Sequence, residues 1–166
     1  MAVAIALPIL SILLILQSAV FSRIVLLKGT TDLVLLALIA WALQKRVRTA
    51  WHWCIIGGLL VSFISAIPLA APLSGYFIAV AITLLLRQRI WQVPILAMLV
   101  ATFFGTIIVQ LVELIALRFV GVSIPFFQAI NLVTLPSVIL NLLLAIPFYA
   151  LLGDLANWLY PESLEV

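Results

Sequence analysis

Long apolar runs, separated by short polar stretches, make up almost the whole chain. A helix needs about 20 mainly apolar residues to cross a bilayer. Before the second run stand Thr31 and Asp32, residue types that cap helix N-termini. The last run contains Pro136 and Pro147, which membrane helices tolerate where neighbours satisfy the freed carbonyls. The pattern predicts six transmembrane helices, over about residues 3–21, 32–44, 51–69, 73–86, 92–117 and 128–159.

The amino-acid composition also indicates a membrane protein. Of the 166 residues, 67% are hydrophobic and 8% are charged, whereas a soluble domain is roughly half apolar and about a quarter charged. We therefore predict an all-α polytopic membrane protein with a single transmembrane domain over residues 1–166. A lone cysteine, Cys54, and a lone histidine, His52, argue against redox or zinc chemistry, so we expect no cofactor and interpret both as interfacial side chains.

The placement of the basic residues predicts the orientation, because short cytoplasmic loops collect Lys and Arg. With the N-terminus inside, three basic residues lie outside, Arg23, Lys28 and Arg118, against five in cytoplasmic loops. The tryptophans fall at span ends on the same side, where indoles anchor at headgroup level. Both patterns predict cytoplasmic termini in a plasma membrane, and the small net charge of +3 gives no indication of nucleic-acid binding. The five cytoplasmic basic residues, which also suit anionic lipid, are Lys45, Arg46, Arg48, Arg87 and Arg89.

The second apolar run is too short to span a bilayer. Residues 33–43 rise about 16 Å as a helix, well under the roughly 30 Å of hydrocarbon. Either the helix begins near Ile24 and carries Lys28 and Asp32 into the membrane, or residues 22–32 are non-helical chain that lies against protein. Because the fourth run is short on the same side, we predict a concavity that opens away from the cytoplasm, bordered by residues 22–32 and a loop at 70–75. Local bilayer thinning or a changed tilt is the alternative.

Small residues spaced by four predict close helix packing, since lipid supplies no hydrophobic drive between helices. Three successive helices carry such rows, which indicates a compact core of the third to fifth helices. The rows are Gly58, Ser62 and Ala66, then Gly75, Ala79 and Thr83, then Ala97, Ala101 and Gly105.

Glu113 is the acidic residue that lies inside an apolar run, where a charge costs a few kcal/mol on insertion scales. We expect it to pair with Arg23, Lys28 or Arg118, and a substrate or proton role is the alternative. No other base inside the runs could activate a nucleophile, and no phosphate-loop or metalloprotease motif occurs, so we do not expect an enzyme. The remaining polar side chains at membrane depth, expected to form interhelical hydrogen bonds, are Gln17, Gln110, Asn131 and Asn141.

Short motifs follow one another in a characteristic order: Thr31-Asp32-Leu33, Lys45-Arg46-Val47-Arg48, Gly58 to Ala66, Pro72-Leu73-Ser74-Gly75, Arg87-Gln88-Arg89, and Asn141 followed by Pro147. Over nearly the whole chain, this order resembles the bacterial rod shape-determining protein family MreD. The family usually has a proline where Thr31 stands, and an aspartate and a glycine where Ser62 and Ala66 stand.

The resemblance implies a non-enzymatic scaffold of the machinery that builds the lateral cell wall. It further implies binding to MreC, a bitopic protein that regulates a wall-synthase pair of glycosyltransferase and penicillin-binding transpeptidase, and proximity to the actin-like MreB filament. The family's fold is similar to that of the S components of energy-coupling-factor transporters, so a vitamin-binding subunit is the alternative function. S components dock through first-helix alanines spaced by four; here Ala2 and Ala6 fit and Leu10 breaks the row.

Overall fold

The computed structural model describes residues 2–19, 29–65, 67–89, 93–122 and 125–161. Among them, four helical runs are long and apolar enough to cross a membrane, and the helices at Leu33–Leu43 and Ala50–Ile64 are apolar but shorter. The fold is thus all-helical and compatible with a multi-pass membrane protein. Its elements are α1 (Ala2–Ala19), α2 (Leu33–Leu43), α3 (Ala50–Ile64), α4 (Ala70–Arg89), α5 (Pro94–Phe119), α6 (Phe126–Ala129), a π-helical turn (Ile130–Thr134) and α7 (Leu135–Leu159).

Helix α2 lies at the centre of the bundle. All eleven of its residues are buried, and it contacts α1, α3, α4, α5 and α7. A helix that is apolar on every side belongs in such an interior position. It begins at Leu33 and not near Ile24, so the first explanation of its short length is wrong.

The four residues before α2 are non-helical and lie against α7. A Cβ atom on Gly29 would fall 2.5 Å from Pro136 Cβ, so only glycine allows this approach. The Thr30 N–H donates to Ser137 Oγ at 2.9 Å. Helix α7 therefore packs against this non-helical segment, as the second explanation of the short helix predicts. The remainder of the expected segment, 22–28, lies outside the described residues.

The bounds of α3 and α4 differ from the predicted ones. Helix α3 ends at Ile64, before the predicted bound at 69. Helix α4 begins at Ala70, so the expected loop at 70–75 is instead its first turns, where Pro72 is tolerated because the first N–H groups of a helix lack intrahelical partners. With 20 residues, α4 is long enough to cross the membrane.

Hydrogen bonds gather four parts of the chain at one end of the bundle. Trp53 Nε1 donates to the Ala2 carbonyl at 3.0 Å, which brings the start of α1 beside α3. Arg46 Nη1 donates to the Tyr160 carbonyl at 3.2 Å, so the end of α7 meets the loop after α2. Arg87, in the last turn of α4, reaches the same loop. We call this region, residues 44–49 with Arg87, Arg89 and Tyr160, the basic end.

The rows of small residues lie at helix contacts. All members of the rows on α4 and α5 are buried, as are Gly58 and Ser62 on α3, whereas Ala66 lies outside the described residues. A Cβ on Gly58 would fall 2.6 Å from Leu73 Cδ1 on α4. One on Gly75 would fall 3.3 Å from Val109 Cα on α5. These glycines allow the backbones of α3, α4 and α5 to approach closely.

Two of the tryptophans are core residues, which corrects the prediction of a common headgroup belt. Trp41 and Trp53 are fully buried and stack with ring centroids 4.2 Å apart. Trp51 and Trp158 are exposed, 40% and 72% respectively, as an interfacial role requires. Trp91 lies outside the described residues. Tryptophan side chains therefore fill the core near the basic end, and others lie exposed at the surface of the bundle.

Candidate functional site

The buried N-terminus of α2 is capped by two side chains. The first N–H groups of a helix have no intrahelical partner, and in a buried helix each must find another acceptor. Asp32 Oδ1 accepts from the Leu35 N–H at 2.9 Å. Gln17 Oε1, from the last turns of α1, accepts from the Leu33 N–H at 2.8 Å. Thus α1 and the segment before α2 together satisfy the helix start.

Asp32 is also the centre of a wider network. Its Oδ2 accepts from the Tyr76 hydroxyl at 2.8 Å, and its N–H donates to Asn141 Oδ1 at 2.9 Å. Asn141 Nδ2 then donates to Thr106 Oγ1 at 3.0 Å. These bonds join α2 to α4, α7 and α5, and a buried hydrogen-bond network of this kind rigidifies one packing arrangement. Gln17 and Asn141 therefore make the interhelical bonds expected of them.

Arg87 caps the opposite, C-terminal end of α2. Its Nη1 donates to the carbonyls of Ala42 and Gln44 at 3.0 Å each and to that of Val47 at 3.3 Å. The final carbonyls of a helix lack intrahelical donors and favour a cation nearby. Arg87 therefore has a structural function that loop charge alone does not indicate. The shortness of α2 is the sequence feature that could have predicted a donor there.

A cavity of about 320 Å³ lies beside the network at the end of the bundle away from the basic end. The expected concavity is thus partly reproduced: residues 30–32 border it, but its other side is formed by Ser65, Ile67 and Tyr76 and not by a loop at 70–75. The polar or acidic residues that line it are Gln17, Ser18, Thr30, Thr31, Asp32, Ser65, Tyr76, Gln110 and Glu113.

The other predicted site residues are dispersed. Gln110 and Glu113 line the cavity, whereas Asn131 is exposed on the π-helical turn. Of the expected partners of Glu113, Arg118 is exposed at the end of α5, and Arg23 and Lys28 lie outside the described residues. Among the residues that the structure describes, no three His, Cys, Asp or Glu side chains group as metal ligands.

Cys54 and His52 have different environments. Cys54 is buried in the core and is not interfacial as predicted, whereas His52 is exposed. Tyr76, Thr106 and Ser137 could not be singled out from the sequence, because a hydroxyl in an apolar run usually bonds within its own helix. Their functions depend on the position of Asp32 and the segment before it.

These features define the class: an all-helical fold, compatible with a multi-pass membrane protein, whose short central helix is capped by side chains at both ends. No family model, no curated protein and no solved structure matches this chain.

Proposed function

We propose that the protein is a non-enzymatic scaffold and regulatory subunit of the bacterial cell-elongation machinery, as its resemblance to the MreD family implies. One observation carries most weight: around the start of α2, the side chains of Gln17, Asp32 and Asn141 bond to groups of the protein itself. Asp32 uses both carboxylate oxygens in this way, and Gln17 uses its carbonyl. Such bonds hold a fixed bundle, which suits a protein that positions others.

The partner in this proposal is an MreC-like, membrane-anchored bitopic protein. Through it the scaffold helps to control a glycosyltransferase and transpeptidase pair that synthesises peptidoglycan, near an actin-like MreB filament. A substrate-binding S component of a vitamin transporter is the second candidate, and the cavity of about 320 Å³ favours it, since small-molecule sites begin near 300 Å³. The engagement of Asp32 and Gln17 with the protein's own N–H groups supports the scaffold instead.

The proposal includes six spans in the bacterial plasma membrane with both termini cytoplasmic. It is supported by the basic end, where Lys45, Arg46, Arg48, Arg87 and Arg89 gather and where Ala2 and Tyr160 make contacts. Short cytoplasmic loops collect such residues. In this orientation the cavity opens to the outside.

Thiol labelling tests the orientation. Cys54 is buried, so a thiol introduced at exposed Arg48 or Gly121 dominates labelling by a membrane-impermeant maleimide. In intact spheroplasts we expect Gly121→Cys to react and Arg48→Cys to react only after lysis. The reverse order would contradict the assignment.

Affinity purification from native membranes tests the function. The tagged chain, at native expression in mild detergent, is compared with an equally expressed unrelated multi-pass protein. We expect an MreC-like bitopic protein to be recovered in stable complex with the tagged chain only. Recovery of ATPase and coupling subunits in its place would overturn the scaffold function and favour the transporter.

A further inference from the structure

Two carboxylates line the same cavity at membrane depth. Asp32 lies at the N-terminus of α2 and Glu113 on α5, while Leu14, Val61, Ile64 and Val109 supply apolar walls. A carboxylate within a membrane segment usually pairs with a positive charge or lines a substrate or ion pathway, because an unpaired charge there is costly. Each Asp32 oxygen accepts one hydrogen bond from the protein, and a carboxylate oxygen has two lone pairs. Both groups can therefore accept further bonds from a donor in the cavity.

Thr31 gives an independent indication of a ligand. This residue lines the cavity and is only 2% exposed. Within the described part of the chain, Thr31 Oγ1 has no hydrogen-bond partner. Nearly all buried hydroxyls in native proteins have one. A polar atom in the cavity would satisfy it.

We propose that this cavity binds an organic cation, an ammonium or guanidinium group held by Asp32 and Glu113 with Thr31 Oγ1 as a further acceptor. An ammonium offers three N–H donors and no acceptor, which matches a set of oxygen acceptors. Ca²⁺ and Mg²⁺ require six or more oxygens, waters included, and suit apolar walls poorly. At about 30 Å³ for a water-sized group, the cavity holds about ten non-hydrogen atoms, enough for a short alkyl chain with its charged head.

The inference concerns the cavity and does not depend on the scaffold function, since either a partner's lysine or arginine side chain or a free amine supplies this chemistry. Purified full-length protein in neutral-lipid nanodiscs is titrated with n-butylammonium and n-propylguanidinium, and 1-butanol serves as the uncharged control of equal size. Binding is measured by calorimetry and by the unfolding temperature from tryptophan fluorescence. We expect saturable binding and thermal stabilisation by at least one cation. An equal response to 1-butanol, or none to either cation, would overturn the proposal.

Three variants locate the site. Glu113→Gln is expected to weaken cation binding at least about tenfold, as loss of a charged hydrogen-bond partner does. Asp154→Asn, which removes an exposed carboxylate on α7, is the matched control and is expected to bind normally. Thr31→Val is expected to weaken binding about fivefold without destabilising the empty protein, because Oγ1 has no partner to lose. Unchanged binding by Glu113→Gln would overturn the proposal.

A basic side chain of this same chain is the competing occupant. If the probes bind only after Arg23→Gln or Lys28→Gln, the cavity is filled internally and the proposal is wrong. The two external sources are separated in protein purified from native membranes. A free amine appears in the denatured extract by mass spectrometry, whereas a partner's lysine is crosslinked by carbodiimide to a cavity carboxylate in wild type and to a smaller extent in Glu113→Gln. Finding neither a free amine nor a crosslinked lysine would contradict the proposal. Failure to recover an MreC-like partner would contradict the scaffold function but not this proposal.

Discussion

Asn141 offers the sharpest test of the network around α2. It is fully buried, accepts from the Asp32 N–H at 2.9 Å and donates to Thr106 Oγ1 at 3.0 Å. Asn141→Leu keeps the branched shape of the side chain, at a larger volume, and removes both bonds. The Thr106 hydroxyl can turn to a carbonyl of its own helix. The Asp32 N–H has no such substitute, so most of the expected loss arises there.

The magnitude follows from these two bonds. Interhelical hydrogen bonds in membrane proteins contribute about 0.6 kcal/mol on average, so two give about 1.2 kcal/mol. A buried donor left without a partner costs about 1–3 kcal/mol. We therefore expect Asn141→Leu to lower the free energy of unfolding by about 1–3 kcal/mol. Thr106→Val leaves the buried Asn141 Nδ2 donor without its partner, so it is also expected to cost about 1–3 kcal/mol.

The assay is unfolding of the purified protein in mixed micelles of rising SDS content, followed by tryptophan fluorescence. The stacked pair Trp41 and Trp53 reports on core packing. Asn131→Leu is the matched control, because this asparagine is exposed on the π-helical turn, and we expect a change below about 0.5 kcal/mol. Equal stability of Asn141→Leu and wild type would refute the network as a determinant of the fold.

Two further substitutions test the ends of α2. Arg87→Gln is expected to lower the free energy of unfolding by about 1.5–3 kcal/mol, because the charged Nη1 of Arg87 donates to three carbonyls. The control is Arg89→Gln, at an exposed arginine two residues away. Equal effects of the two substitutions in SDS unfolding would contradict the capping of α2 by Arg87. Gly29→Ala is expected to cost about 1–3 kcal/mol by overpacking against Pro136. Gly153→Ala, whose new Cβ would lie no closer than 3.5 Å to other atoms, is expected to be neutral or stabilising, and a tolerated Gly29→Ala would disprove the close approach.

The sequence predicted α2 closely because its signals are local. An apolar run follows Asp32, and the helix begins at the next residue with that aspartate as its cap. The end of α3 could not be predicted from the sequence in the same way, because apolar residues continue past Ile64 while the helix does not. Hydrophobicity predicts which residues lie in a membrane, but it does not predict the residue at which a helix ends.

Central burial of α2 could not be predicted from the sequence. An apolar helix facing lipid and one enclosed by five others have the same composition, and only tertiary contacts separate them. For the same reason Trp41 and Trp53 were assigned to the headgroup region, and Arg87 to a cytoplasmic loop. In the site, Gln17, Asp32, Asn141 and Glu113 stood out as polar groups at membrane depth. Their hydroxyl partners did not, because Tyr, Thr and Ser are common in such helices.

The proposed function in wall elongation is tested most directly by the shape of host cells depleted of the protein. Cell width and incorporation of labelled wall precursor along the side wall are measured by microscopy, with re-expression of wild type as the control. We expect rods to widen and become round as side-wall incorporation falls, and re-expression to restore both. Rods that keep their shape and their side-wall synthesis while uptake of a vitamin falls would contradict the scaffold and support the transporter subunit.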